Sequence, residues 1–223
     1  MTISTESTVA SLATEHPLAT RVFSRYGIDF CCGGGRPLKD VCGEKGLDVG
    51  RVVEEIRQEL SSADEQVHRW DTRPLDKLIQ HILDTYHRPL DEELPRLQQM
   101  AARVLEVHHD KDPGRLTELV DVYAGLKTEL EDHMAKEEQI LFPMILRGQG
   151  ALTNGPIAVM EHEHESVGIA LRRLRELTDD FEVPLEACNT WRALWKGLEA
   201  LEQSLHVHIH LENNILFPRA LEN

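Results

Sequence analysis

The sequence predicts an all-α protein: an antiparallel four-helix bundle over residues 74–223, preceded by a small helical module over residues 1–60. Three observations carry this reading. From residue 74 onward the apolar residues recur at steps of three and four, and no segment alternates long enough to make a strand. Breaks rich in Gly, Pro and Asp divide that stretch into four long pieces with short connections, the pattern of antiparallel neighbours. Ten of the 12 histidines lie from His81 onward, so the chemistry is concentrated in the bundle.

In the first module, residues 17–26 read as a short helix with Leu18, Val22 and Phe23 on its apolar side. Turns follow at Gly27 and at Gly33-Gly34-Gly35. Pro37 opens the next helix, since a proline in the first turn sacrifices no hydrogen bond. Asp48 caps a third helix carrying Val52, Val53, Ile56 and Leu60. Residues 61–73 are polar, end the periodic pattern and read as a linker. The first bundle helix covers about residues 74–108 and stops before Asp112-Pro113-Gly114. The second covers about 116–146 and ends at Gly148 and Gly150. The third covers about 156–177, and the fourth starts after Pro184 and reaches Phe217-Pro218.

The charge balance excludes whole classes of function. With 24 Lys and Arg against 39 Asp and Glu, the formal net charge is −15. Such a chain is ill suited to gripping phosphate backbones or anionic lipid, so neither nucleic acid nor membrane is expected as a partner. No apolar run approaches the length of a membrane span. The first twenty residues lack a basic start followed by an apolar stretch, so no secretory signal is expected and cytoplasm is the default. The four cysteines form no CxxC pair, which argues against a zinc ribbon or thioredoxin-type motif. They are expected as free thiols in a reducing compartment.

An internal repeat carries the chemistry. His133 to Pro143 and His208 to Pro218 both read HxxxExxILFP, 75 residues apart. Histidine and glutamate at i and i+4 leave one helix face. In the second bundle helix that face reads Leu126, Leu130, His133, Glu137, Leu141, Met144. In the fourth it reads Leu198, Leu201, Leu205, His208, Glu212, Ile215. Both pairs therefore sit inside an apolar stripe. An isolated carboxylate in a core is strongly unfavourable unless it is paired, neutralised or bound to metal. One such pair is explained by a hydrogen bond at a wet face; two copies on core stripes favour metal. The other two helices each add a histidine on their stripes, His87 among Leu83, Leu90 and Leu94, and His164 among Met160, Val167 and Leu171. His81, His162, His206 and His210 fall off the stripes and are expected to be exposed. His108 lies roughly 30 Å along a straight helix from His87, too far to share its centre.

Four histidines and two carboxylates exceed one tetrahedral zinc. They suit two ions with Glu137 and Glu212 as bridges, and imidazole with carboxylate and no thiolate fits iron or manganese.

These motifs resemble those of the iron–sulfur cluster repair di-iron proteins, whose C-terminal domain is hemerythrin-like. The resemblance covers nearly the whole chain. It is carried by Tyr26-Gly27-Ile28-Asp29-Phe30-Cys31-Cys32-Gly33-Gly34, by Tyr86-His87, by His133 through Pro143, by Met160-Glu161-His162-Glu163-His164 and by His208 through Pro218. It implies two non-haem iron ions in an oxo- and carboxylate-bridged centre held by His87, His133, Glu137, His164, His208 and Glu212. It also implies a homodimer and the repair of iron–sulfur clusters damaged by oxidative or nitrosative stress. Damaged iron–sulfur proteins are then the partners, and NO and O2 are possible small ligands. Pro89, just after His87, is a local departure expected to disturb its helix.

Cys31 and Cys32 sit in a glycine-rich turn and are the expected reactive thiols. Backbone N–H groups of the loop and nearby Arg36 are expected to lower a thiol pKa there. Cys42 and Cys188 read as structural. Two other functions fit the same residues: a di-iron reductase that converts NO to nitrous oxide, and a hemerythrin-like sensor of O2 or NO.

Overall fold

The computed structural model describes residues 3–61 and 69–222. Most of the expected linker, residues 62–68, lies outside the described residues. Among the described residues the regular elements are all helices, and the only β feature is an isolated bridge between Thr8 and Pro37.

Four short helices come first: α1 (Val9–Glu15), α2 (Ala19–Arg25), α3 (Leu38–Glu44) and α4 (Val49–Ser61). Helix α1 was not anticipated, although its signals are local. Thr8 caps it by accepting the Ser11 N–H at 3.1 Å, and Val9, Leu12 and Ala13 turn inward. Asp48 caps α4 as expected, accepting from the N–H groups of Gly50 at 2.8 Å and Arg51 at 3.2 Å.

The bundle elements are α5 (Leu75–Ile82), a π-helical turn (Leu83–His87) and α6 (Arg88–His108). Then come α7 (Pro113–Lys136), a second π-helical turn (Glu137–Leu141) and α8 (Phe142–Leu146). Helix α9 (Gly150–Leu177) follows, then α10 (Asn189–Leu211), a third π-helical turn (Glu212–Leu216) and α11 (Phe217–Leu221). All four long helices are where the periodicity puts them. The third starts earlier than expected because Pro156 lies inside it instead of opening it.

The chain forms two compact units, one of Met1–Ile79 with His206–Asn223 and one of Gln80–Leu205. In the first, Val9, Leu12, Val22, Phe23, Leu38, Val52 and Ile56 form a core. Ile28 and Phe30, from the loop after α2, plug it, and Val207 packs against it. The π-helical turn Glu212–Leu216 lies beside α1. A small module of this size gains its order from a few wholly buried large side chains, here Phe23, Phe30 and Ile56.

In the second unit α7 packs on both α6 and α9. Asp112 caps α7, with Pro113 in its first turn. The Tyr123 hydroxyl, fully buried, donates to the Leu94 carbonyl at 3.0 Å and ties α7 to α6. Helix α10 approaches α6 where Gly197 meets Leu97; a Cβ on Gly197 would lie 2.5 Å from the Leu97 side chain. Buried Glu202 of α10 is held by Arg175 of α9, whose Nε donates to it at 3.1 Å.

Candidate metal centre

Three ligand-type residues flank widened helical turns. His87 ends the first π-helical turn; Glu137 and Glu212 begin the second and third. Each turn closes with an N–H bonding the carbonyl five residues back: Arg88 to Leu83, Phe142 to Glu137 and Phe217 to Glu212. The next residue is proline every time, Pro89, Pro143 and Pro218. Proline has no N–H to donate, and its ring collides with the carbonyl four residues back in a regular helix. A wide turn just before it absorbs both problems at one place. Pro89 is therefore no disturbance peculiar to the first bundle helix. It is the same device used beside both glutamates.

In the second unit, His87, His133, Glu137 and His164 are each at most 2% exposed. His133, Glu137 and His164 offer ligand atoms within 4.8 Å of one another. The Glu137 Oε2 lies 3.4 Å from His87 Nε2 and 3.5 Å from His133 Nε2, and His164 Nε2 lies 3.0 Å from His133 Nε2. Neither Glu137 oxygen has a hydrogen-bond partner among the described residues, although the side chain is 0% exposed. A buried carboxylate without donors, facing imidazole nitrogens, is costly as it stands and is relieved by a cation.

The outer nitrogens of two of these histidines are held by carboxylates. His87 Nδ1 donates to Glu138 Oε1 at 3.0 Å, and Arg88 Nη1 donates to the same oxygen at 2.9 Å. His133 Nδ1 donates to Glu163 Oε2 at 2.8 Å, and Lys136 donates to the other Glu163 oxygen. A carboxylate only accepts, so each neutral ring carries its proton on Nδ1 and turns an Nε2 lone pair inward. Partial burial pushes Glu138 and Glu163 up, but the histidine and cation beside each outweigh it and hold both below the usual carboxylate range. Sequence reading missed both glutamates. Their only signal is adjacency to a ligand, at 137–138 and 163–164.

In the first unit, His208 Nε2 lies 2.9 Å from Glu212 Oε1, and both residues are buried. His210, expected to be exposed, is 2% exposed instead. Its ring stands edge-on to Phe30, and its Nδ1 donates to the Phe30 carbonyl at 3.1 Å. Burial pushes its pKa down to about 4, so the ring is neutral. The helical stripe could not reveal this, because the surface covering His210 comes from the loop after α2.

That loop carries the cysteine pair. Asp29 organises it: Oδ1 accepts from the N–H groups of Cys31 at 2.9 Å and Cys32 at 3.1 Å, and Oδ2 accepts from Gly33 at 3.0 Å. A Cβ on Gly33 would come within 2.8 Å of Asp29, and one on Gly34 within 2.8 Å of the Phe30 carbonyl, which is why both positions are glycine. Asn214 Nδ2 donates to the Cys31 carbonyl at 3.0 Å, and Asn213 Nδ2 lies 3.8 Å from Cys32 Sγ. Cys31 is buried and Cys32 exposed. The expectation of a lowered thiol pKa fails for Cys31. The loop's N–H groups serve Asp29, not sulfur, and Arg36 is engaged by Glu44 at 2.7 Å. The Cys32 sulfur, burial and the Asp29 charge all push the Cys31 thiol up.

His108 ends α6, at the far end from His87, and meets Cys188 there, with Nε2 3.2 Å from Sγ. The metal-type residues named from the stripes thus fall into two buried sets, one in each unit.

Residues 78–220 match the family model of the hemerythrin HHE cation binding domain, and residues 5–60 match a domain of unknown function, DUF542. The chain is 44% identical over 215 residues to the iron–sulfur cluster repair protein YtfE of Edwardsiella ictaluri, covering 96% of each chain. It is 41% identical to the protein of that name from Musicola paradisiaca, over 97% of this chain and 96% of the relative. The corresponding Yersinia pseudotuberculosis protein is 43% identical over 96% of each. With both modules matched in order and relatives aligned from end to end, the chain belongs to the family of iron–sulfur cluster repair proteins that join this small N-terminal domain to a hemerythrin HHE domain.

Proposed function

We propose that this protein repairs iron–sulfur clusters damaged by oxidative or nitrosative stress, and that it does so by donating iron from a di-iron centre. His87, His133, Glu137, His164, His208 and Glu212 would hold two non-haem iron ions, which would supply exchangeable metal there. The observation that carries this reading is the wholly buried, donor-less Glu137 carboxylate among inward-facing imidazoles. The protein's own residues set the conditions. Glu138 and Glu163 hold the Nδ1 side of His87 and His133 and so keep each Nε2 aimed inward. The apolar stripe around Glu137 excludes water.

In this reading residues 1–60 form the module that meets the client, 61–73 a linker and 74–223 the di-iron bundle, while Cys31 and Cys32 are the thiols that act during transfer. The protein works in the cytoplasm as a homodimer, and its partners are damaged iron–sulfur proteins, with NO and O2 as small ligands. Among the described residues no helix is long and apolar enough to cross a membrane.

The test is protein purified without oxygen, assayed for iron and then mixed with an apo-ferredoxin-type acceptor. About two irons per chain, one of them passing to the acceptor, with His133→Ala failing to load, is the expected result. Irons that stay bound while NO is consumed with an electron donor would move the assignment to an NO reductase. Reversible gas binding without iron loss would make it a sensor. Absence of iron would end the di-metal reading.

A further inference from the structure

The end of the bundle remote from Glu137 holds a second cluster that the iron chemistry does not use. Cys188 is exposed, directly precedes α10 and caps it, its carbonyl accepting the Arg192 N–H at 3.0 Å. His108 Nε2, from the end of α6, lies 3.2 Å from its sulfur. The backbone N–H of Trp191, the His108 ring and the backbone N–H of Thr190 stabilise the thiolate and lower its pKa, against an opposing effect of burial. The structural role first expected for Cys188 does not describe this environment. Of the charged groups on the neighbouring loops, Lys111 is bonded to Glu186 at 2.6 Å, while Asp112 and Glu182 line the adjoining cavity.

Beside this pair lies a cavity of about 400 Å3, bounded by the α6–α7 turn and by the segment between α9 and α10. Trp191 belongs to both features. It lines the cavity, and its indole packs against the His108 ring with centroids 4.8 Å apart. Trp191 is 7% and Trp195 3% exposed, both line the cavity, and neither indole N–H has an acceptor among the described residues. Two buried donors without acceptors call for a ligand that brings them. The cavity wall is held in an unusual conformation. Asp179, Asp180 and Phe181 are three successive non-glycine residues with φ of 49°, 56° and 60°. Arg115 pairs with Asp179 at 2.6 Å, Arg175 pairs with Asp180 at 3.0 Å, and the Thr178 hydroxyl accepts the Phe181 N–H at 3.2 Å.

We propose that Cys188, with His108 beside it, is a site of reversible mixed-disulfide formation with a low-molecular-weight peptide disulfide, whose carbonyl or carboxylate groups are received in the tryptophan-lined cavity. The Cys188 thiolate attacks one sulfur of the disulfide. A new bond forms between Cys188 Sγ and that sulfur, and the original S–S bond breaks. Cys188 is oxidised, and the second sulfur leaves as a thiolate that takes up the proton Cys188 gave up. His108 donates through Nε2 to the sulfur in its anionic form and so sets the fraction poised to react.

The test is incubation of the full-length protein with oxidised glutathione, followed by peptide mapping of all four cysteines and by the pH dependence of each rate. Cys188 is expected to react first and to saturate with glutathione disulfide. His108→Ala should move its pH profile upward and slow it roughly tenfold near neutrality, the equivalent of one pKa unit. Trp191→Phe, which keeps a ring against His108 but removes the N–H, should weaken saturation by glutathione disulfide. The proposal is overturned if Cys32 reacts as fast as Cys188 or if His108→Ala leaves the profile in place. It is also overturned if the reaction never saturates and ignores Trp191→Phe.

Discussion

The two copies of HxxxExxILFP have the same consensus residues and different surroundings. In the first copy the residue after the glutamate is Glu138, which reaches His87 and fixes its tautomer. In the second copy the same place is Asn213, and the next residue, Asn214, holds the cysteine loop through the Cys31 carbonyl. Two residues after the histidine the first copy has half-buried Ala135, while the second has His210, buried on Phe30. The shared residues build the buried His–Glu face and the wide turn before the proline. The residues between them decide what each copy fastens: a histidine from a neighbouring helix in one, a thiol-bearing loop in the other. Repeats in a bundle diverge first where they touch different neighbours.

The comparison is sharpened by variants, from the strongest expected effect downward. Glu137→Met replaces the donor-less carboxylate with an apolar side chain of similar volume. Metal loading should be lost, while the metal-free protein should gain about 1–3 kcal/mol against denaturant, since a buried charge without donors is removed. Unfolding curves with and without iron would separate the two effects, and a metal-free variant less stable than the parent would contradict the account. Glu138→Ala should lower metal affinity about 10–100-fold with little loss of helix, the usual size for a residue that orients a ligand histidine. Asn213→Ala, at the equivalent place in the second copy, should change metal affinity far less; equal effects would mean that the copies are not specialised.

Asp29→Ala should destabilise the first unit by about 1–2 kcal/mol, because three N–H groups of the cysteine loop lose their acceptor. It should also raise the reactivity of Cys31, whose thiol the Asp29 charge now pushes up. Alkylation rates followed by peptide mapping would show this directly, and an unchanged Cys31 rate would remove Asp29 from the account. The smallest effect is expected from Asn214→Ala. Losing its bond to the Cys31 carbonyl should cost about 1 kcal/mol, read as faster amide hydrogen exchange in residues 29–34.

Much of this was legible in one dimension. The stripe through Leu126, Leu130, His133 and Glu137 placed His133 and Glu137 inward, and both are buried. The same rule placed His162 outward, where its side chain is 80% exposed. It failed for His210 because a helical stripe reports only the face turned to other helices, and Phe30 of a distant loop covers a different face. The π-helical turns were also invisible as such. Periodicity over five residues cannot separate 3.6 from a slightly wider turn, although the recurrent proline after each turn was in plain view.

The sequence by itself determined the helical class and the inward placing of His133, Glu137, His208 and Glu212, because periodicity and repeat are properties of order along the chain. Only the tertiary structure decided which carboxylates orient His87 and His133, and that His108 belongs with Cys188. Those outcomes depend on partners 30 to 80 residues away, brought within hydrogen-bond reach by packing. Interactions that act over about 3 Å are set by the path of the folded chain, and no local spacing encodes them.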